Sequence, residues 1–280
     1  MGVAEDEILA KALGMYRDIA EEYFGRHTIP ILYHEQGNDE PELGTGFLLS
    51  VDQSTVLVTA GHVCADIAEL SRNRRLRFAR VCYLRERHGL EWFELPTDST
   101  SVYWDSSKCP ADVGLIRLPD ALLERMAELG VERVTVNRFR APTQELTPQH
   151  ATMIVGASAV HSRQYVKNRL FVVQNGILEE RQQHEVGTVG FRMLPIKQVS
   201  EDSDVTCAGV PYRDDELSAE GMSGGPVVEI DANEGVDRFA VVGLQSKQWA
   251  AQGAITRIAF VPARTVLTVV RQLLQQSGEF

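Results

Sequence analysis

The sequence is poor in the features that would settle its class at a glance. No stretch approaches the roughly 18–20 consecutive apolar residues that cross a bilayer, so no membrane-spanning helix is expected. Its 280 residues hold only four cysteines, Cys64, Cys82, Cys109 and Cys207, and none stands in C-x-x-C spacing. That excludes the usual zinc and dithiol redox patterns and leaves free thiols, as in a reducing compartment. There is no basic surplus either. The net charge is −11, which argues against nucleic-acid binding, because phosphate contacts need a basic surface. The one arginine run, Arg72, Arg74, Arg75, Arg77 and Arg80, lacks an aromatic platform and reads as a solvated loop or partner surface. The N-terminus "MGVAEDEILAKALGMYRDIAEEYF" has acids where a signal peptide carries Lys or Arg. Asp6 stands where N-myristoylation requires Ser or Thr. A cytoplasmic protein is the expectation. His27, His88, His150, His161 and His184 have no metal-ligand spacing and read as surface residues, so neither metal nor cofactor is expected.

What the chain does have is turns. Twenty-two glycines and 11 prolines are scattered along it, and 44% of its residues are hydrophobic, enough for a sizeable core. Residues 5–24 place apolar side chains at three- and four-residue spacing and predict an amphipathic helix. From Thr28 the pattern changes to short apolar runs between turn residues, among them "GTGFLLSV", "TVLVTAGHV", "DVGLIRL", "ATMIVGAS", "LFVVQNG", "GPVVEI" and "FAVVGLQS". Many short strands with few helices predict an all-β sandwich or barrel of antiparallel neighbours. "DALLERMAELG" predicts a short helix ended by Gly130, with Asp120 as N-cap. "PARTVLTVVRQLLQQ" predicts a closing helix with Pro262 in its first turn. No repeats occur. A boundary between two β subdomains is placed within residues 130–145.

One stretch concentrates backbone freedom. "GMSGGPVV", Gly221–Val228, sets Gly221, Gly224 and Gly225 around Ser223 and then enters an apolar strand. Two readings fit it. One is an ordinary loop-to-strand turn, rich in Gly, Ser and Pro. The other is a nucleophilic serine beside bare N–H groups able to hold an oxyanion. Two further residues bear on the choice. His62 follows the apolar run "TVLVTA", and imidazole changes protonation near neutral pH. Asp112 opens "DVGLIRL", where a carboxylate entering an apolar strand needs a partner such as an imidazole N–H. Each alone has a bland reading: a satisfied core histidine, a strand-end cap, a turn serine. Jointly those readings require three coincidences.

The order His62, Asp112, Ser223 resembles the trypsin-like serine peptidases. "TAGHV" is similar to that family's signature around its base, "DVGLIRL" to that around the orienting aspartate, and "GMSGGPVV" to its nucleophile loop. "GTGFLLS", "VVGLQS" and "FVPARTVLTVVRQL" are most similar to the bacterial HtrA branch, over about residues 40–275, with no PDZ-type module following. The resemblance implies two packed antiparallel six-stranded β-barrels of the chymotrypsin type, with an α-helix at each end. It divides the chain into an N-terminal helical extension over 1–27, a first barrel over 28–135 with His62 and Asp112, and a second over 136–280 with Ser223. It implies serine endopeptidase activity on protein or peptide substrates, His62 serving as base and Asp112 as its orienter. Ser223 is then the nucleophile, with the Gly221 and Ser223 amides as oxyanion hole.

"VVGLQSKQ" resembles the strand that pairs with substrate, which puts Ser246, Lys247 and Gln248 along the cleft. Leu217, six positions before the serine, falls at the base of the specificity pocket and favours aliphatic side chains. Asp214, Asp215 or Glu216 in its place favours basic ones. Met222 stands where secreted members carry the aspartate that pairs with a freed N-terminal amine, and a thioether cannot hold an ammonium. Control is therefore expected in the segment Ser200–Glu220, which holds seven carboxylates, read as a loop ordered by a protein partner or substrate. A triggered bacterial effector in defence or stress is the context the resemblance implies. Two other functions compete. One is a catalytically silent binding module. The other is an esterase or acyl transferase, although no G-x-S-x-G elbow is present.

Overall fold

The computed structural model describes residues 23–38, 41–85, 89–98, 101–104, 111–142, 150–158, 168–174, 176–183, 190–203, 206–211, 221–231, 236–251 and 254–276. Strands dominate, and they form two sheets. One is ten-stranded and open in its pairing, centred on the antiparallel neighbours Leu76–Arg85, Ile29–Glu35, Glu42–Val51, Ser54–Thr59 and Gly114–Ile116. The other is a closed six-stranded barrel of Gly190–Ser203, Thr206–Pro211, Ala254–Pro262, Ala240–Ala251, Pro226–Asp231 and His150–Ser158. The hairpin Asn168–Gln174 with Ile177–Gln183 joins the first sheet through a parallel pairing with Gly89–Glu94, although it lies beyond residue 136 in the chain.

The apolar runs are continuous rather than alternating because both faces of the central strands are covered. Along Glu42–Val51, Phe47, Leu49 and Val51 enter one core while Leu48 enters another. The same split recurs in the barrel: Met153 and Val155 face the first of these cores, and Ile154 faces the barrel interior. Three apolar layers result, one within each sheet and one between them. The middle layer is closed by helix Ala263–Gln276, whose Val266, Val269, Val270, Leu273 and Leu274 recur at helical spacing and are all buried. That helix starts one residue later than expected, since Pro262 ends the preceding strand.

The short helix is present as Asp120–Glu128, with Pro119 rather than Asp120 at its N-cap and Gly130 at φ +89° just past its end. Its Leu122, Leu123 and Met126 are buried. Other details differ from the sequence reading. The run "TVLVTAGHV" is a strand only to Thr59, and Gly61–Arg72 is a helix, burying Val63, Cys64 and Ile67 at helical spacing. Within the supposed control loop, Ser200–Ser203 belongs to a strand paired with Thr206–Pro211, so its first half is a hairpin in the barrel wall. Residues 212–220 lie outside the described residues, as does the helix expected over 5–24 up to Glu22.

Arg80 is buried, not solvated, with its guanidinium 4.4 Å from the centre of the Phe78 ring. His27 is buried too, in a cluster with Tyr23 and Phe239 that turns it inward. Cys64, Cys82 and Cys207 are buried and stand in no disulfide among the described residues, while Cys109 lies outside them. No helix among the described residues is long and apolar enough to cross a membrane.

Candidate active site

The strand register brings two of the singled-out residues together. Ser54–Thr59 runs antiparallel to Gly114–Ile116 with Thr59 opposite Gly114, so the residues just past one strand end adjoin those just before the other. There the helix Gly61–Arg72 begins without a side-chain cap of its own, since Ala60 occupies the N-cap. Asp112 supplies the missing acceptor: its Oδ1 takes the His62 backbone N–H at 2.8 Å. A carboxylate at this end also suits the helix dipole. Its Oδ2 takes the His62 Nδ1–H at 2.8 Å. One carboxylate thus fixes both the backbone and the ring of His62, and directs Nε2 away from Asp112.

A third donor converges on the same group. Ser246 Oγ donates to Asp112 Oδ2 at 2.6 Å, and the serine is buried. Burial works against ionisation of Asp112, but hydrogen bonds from the His62 ring, its charge, the Ser246 hydroxyl and the His62 amide together hold the carboxyl below its ordinary value. The hydrogen bond to Asp112 raises His62. Burial opposes it, the charges of Asp112 and Asp66 add to it, and Lys247 lowers it. The pair is therefore set up as imidazole beside carboxylate, with a raised affinity of the ring for a proton.

The serine turn is held differently, by backbone. Gly221 and Gly224 adopt φ of +87° and +88°, which explains glycine at both. Gly224 N donates to Gln245 O at 2.8 Å, Gly225 N to Met222 O at 2.8 Å, and Gln245 N to Gly225 O at 2.9 Å. The amides of Gly221 and Ser223 have no such backbone acceptor among the described residues. A Cβ at Gly224 would run into the Thr45 carbonyl and the Thr59 hydroxyl and lie 2.6 Å from Ala60 N. That contact sets the turn directly against the segment that leads into His62. Gly44 borders both: a Cβ there would lie 3.1 Å from Val63 Cγ2 and 3.7 Å from Ser223 O.

Thr45 is the staple, and sequence reasoning did not single it out. Its N–H donates to Ser223 O at 2.8 Å and its hydroxyl to Gly221 O at 2.6 Å. The same hydroxyl accepts from Ala157 N at 2.9 Å, and Thr59 Oγ1 donates to Thr45 O at 2.6 Å. The available signal was a hydroxyl inside the apolar run "GTGFLLS", which needs partners once buried. Trp104 was also missed; its indole lies against the backbone of Gly61. Of the expected cleft residues, Ser246 touches Asp112, Lys247 is exposed, Gln248 is half-buried, and Leu217 lies outside the described residues. No group of three or more His, Cys, Asp or Glu side chains among the described residues could hold a metal.

No family model and no curated protein matches the sequence. Solved structures do. The protease Anisep from Arthrobacter nicotinovorans is similar at a TM-score of 0.50 and 11% identity, over 91% of this chain and 96% of that one. The fold is that of the trypsin-like serine peptidases. Two further similar structures are the active form of the Rv3671c protease from M. tuberculosis and an HtrA-type protease, AlgW, determined with a tripeptide. The first has a TM-score of 0.48 at 16% identity, over 91% of this chain and 83% of that one. The second has a TM-score of 0.49 at 14% identity, over 91% and 62%. Within this trypsin-like fold, His62 and Asp112 belong to the open sheet and Ser223 to the turn entering the closed barrel.

Proposed function

We propose that the chain is a serine endopeptidase acting through His62, Asp112 and Ser223. The observation that carries the reading is the double grip of Asp112 on His62, ring and amide together, beside a serine turn backed against Ala60. With Nδ1–H committed to the carboxylate, Nε2 is the ring atom left to accept a proton. It takes the Ser223 hydroxyl proton as Oγ attacks the scissile carbonyl, and gives it to the leaving amine. Asp112 stays ionised and stabilises the imidazolium that forms. The amides of Gly221 and Ser223 receive the negative oxygen, each donor contributing about 10²–10³ in rate. Water then releases the acyl-enzyme by the same route.

Met222 is buried among apolar side chains and has no charge to receive an ammonium, so competence requires no freed N-terminal amine. N-terminal sequencing of the active species checks this, and activity confined to a processed form would refute it. The main experiment incubates the protein with a peptide library, reads the cut sites by mass spectrometry, and labels it with a fluorophosphonate. Labelling at Ser223 and cleavage lost in Ser223→Ala are expected. Hydrolysis retained by purified Ser223→Ala would sink the assignment, and a folded protein that neither labels nor cleaves would be a binding module instead.

A further inference from the structure

Beyond the reacting groups, the strand Ala240–Ala251 leaves the site with an unusual face. Ser246, buried, holds Asp112; the next residue, Lys247, is exposed and near enough for its charge to act on His62. Among the described residues no ion pair takes up Lys247. Two positions on, on the same face by strand alternation, Trp249 is 44% exposed. The Arg257 guanidinium sits 5.3 Å from the centre of its ring. A large apolar side chain at a surface is informative when it clusters with others. Among the described residues, the exposed large hydrophobics are Trp104, Ile177 and Trp249, and Trp104 lies beside the residue that precedes His62. Trp104 lies against Gly61, and Trp249 follows Ser246 by three residues along the strand that bears it.

We propose that Lys247 and Trp249, with Arg257 behind the ring, recognise substrate segments that pair a carboxylate side chain with an apolar one, so that the site prefers acidic peptides. This rests on the peptidase reading above and names the substrate class for it. The argument is charge complementarity at short range. The chain as a whole is acidic, at −11, so a cation beside His62 with no ion pair among the described residues is not part of a general basic surface. At physiological salt the field of the distant acids is screened beyond about 8 Å, whereas a side chain bound beside Lys247 feels it directly. Trp249 offers a stacking face that tolerates many apolar partners, and the arginine over the ring holds it in place.

The test uses matched quenched peptides that carry Glu, Gln or Lys at one position near the scissile bond, scanned on both sides of it. The wild-type protein is expected to favour Glu over Lys by about two- to fivefold in kcat/KM, the scale of exposed charge pairs. Lys247→Gln should remove most of that preference and Lys247→Glu should reverse it, with 1 M salt flattening all three proteins. Comparing variants cancels the field of the rest of the chain. An unchanged Glu-to-Lys ratio in Lys247→Glu overturns the proposal. If no peptide is cut at all, the peptidase reading has failed instead. The same peptides are then titrated against Ser223→Ala by quenching of Trp104 and Trp249 fluorescence. Tighter binding of the Glu peptide that is lost in the added Lys247→Glu change supports the recognition face, and equal binding overturns it.

Discussion

The two sides of the site are built by opposite means. On the open-sheet side, His62 is held by side-chain charge: three donors meet one carboxylate, and a helix end borrows its cap from Asp112. On the closed-barrel side, Ser223 is held by backbone: glycines in left-handed conformations, amide-to-carbonyl bonds, and atoms so close that no Cβ fits at Gly224. The first arrangement depends on protonation, and an isosteric change there spares the fold but not the charge. The second is indifferent to pH and intolerant of a single methyl group. Thr45 joins them, because its amide and hydroxyl grip the serine turn while its carbonyl takes the Thr59 hydroxyl three residues before His62.

The largest expected effect tests the charged side. Asn at 112 keeps the shape, and its carbonyl oxygen still accepts the His62 amide. Its NH₂ then faces His62 Nδ1 and Ser246 Oγ, where two donors had pointed. The ring is forced into the tautomer with its proton on Nε2, which cannot take one from serine. Asp112→Asn should lower kcat by about 10⁴-fold while changing stability by no more than about 1 kcal/mol. Steady-state kinetics with thermal melts read both, and a large loss of melting temperature would break the distinction between the two sides. Gly224→Ala should do the reverse in kind. Strain at positive φ and overpacking against Thr45, Thr59 and Ala60 together cost on the order of 3–5 kcal/mol. Gly37→Ala is the control, with φ +93° but nothing within 4 Å of its Cβ, and should cost about 1–2 kcal/mol. Equal melting losses in the two would show that backbone strain alone, without contact, fixes the serine turn.

Thr45→Val sharpens the comparison at its junction. Valine keeps the volume but leaves Gly221 O and Ala157 N without the hydroxyl, at about 1–3 kcal/mol. Melting and turnover should fall together, and Thr45→Ser should recover most of both. Recovery of stability without turnover would mean that Thr45 does not position the serine turn.

The same contrast explains what could be read from the sequence. His62, Asp112 and Ser223 could be singled out because each stands in a short local pattern, and the closing helix with its period and the barrel strands with their apolar runs were legible in the same way. The parts that join them were not. Thr45 and Gly221 are 176 residues apart, and their bond exists only once the two sheets pack. Ser246 was expected along a cleft, whereas its hydrogen bond to Asp112 spans 134 residues and follows from barrel closure. The strand Asn168–Gln174 was legible in "LFVVQNG", but its hairpin partner Ile177–Gln183 was not, and its pairing with Gly89–Glu94 is a tertiary choice that no local period encodes. The helix Gly61–Arg72 was a local miss. Val63, Cys64 and Ile67 already carried its spacing, but the preceding β-branched run drew the strand too far.

The smallest expected effect is a pH dependence, and it separates the two sides without any mutation. His62 gains a proton more readily in the folded chain than in the unfolded one. Its contribution to stability is therefore fully present below its unfolded value near 6.5 and is lost as pH rises through the raised folded value. Asp112 is shifted downward, so its contribution is present above its unfolded value and is lost as pH falls through the lowered folded one. The proposed mechanism asks for neutral His62, so under it kcat/KM should rise through the same raised value at which stability declines, a crossing of opposite sign. Because the His62 side chain is 43% exposed, solvent screens the interaction, and the stability change should stay within about 1 kcal/mol. Asp112, Asp66 and Lys247 are the charges acting on the ring, and of these only Lys247 lowers its proton affinity. Lys247→Gln should accordingly move the acidic limb of the activity profile to higher pH. In Gly224→Ala, whose fault is steric, the midpoint of that limb should stay where it is in the wild type while its height falls. A limb that shifts in Gly224→Ala, or stays fixed in Lys247→Gln, would show that the charge-held side and the backbone-held side are not independent.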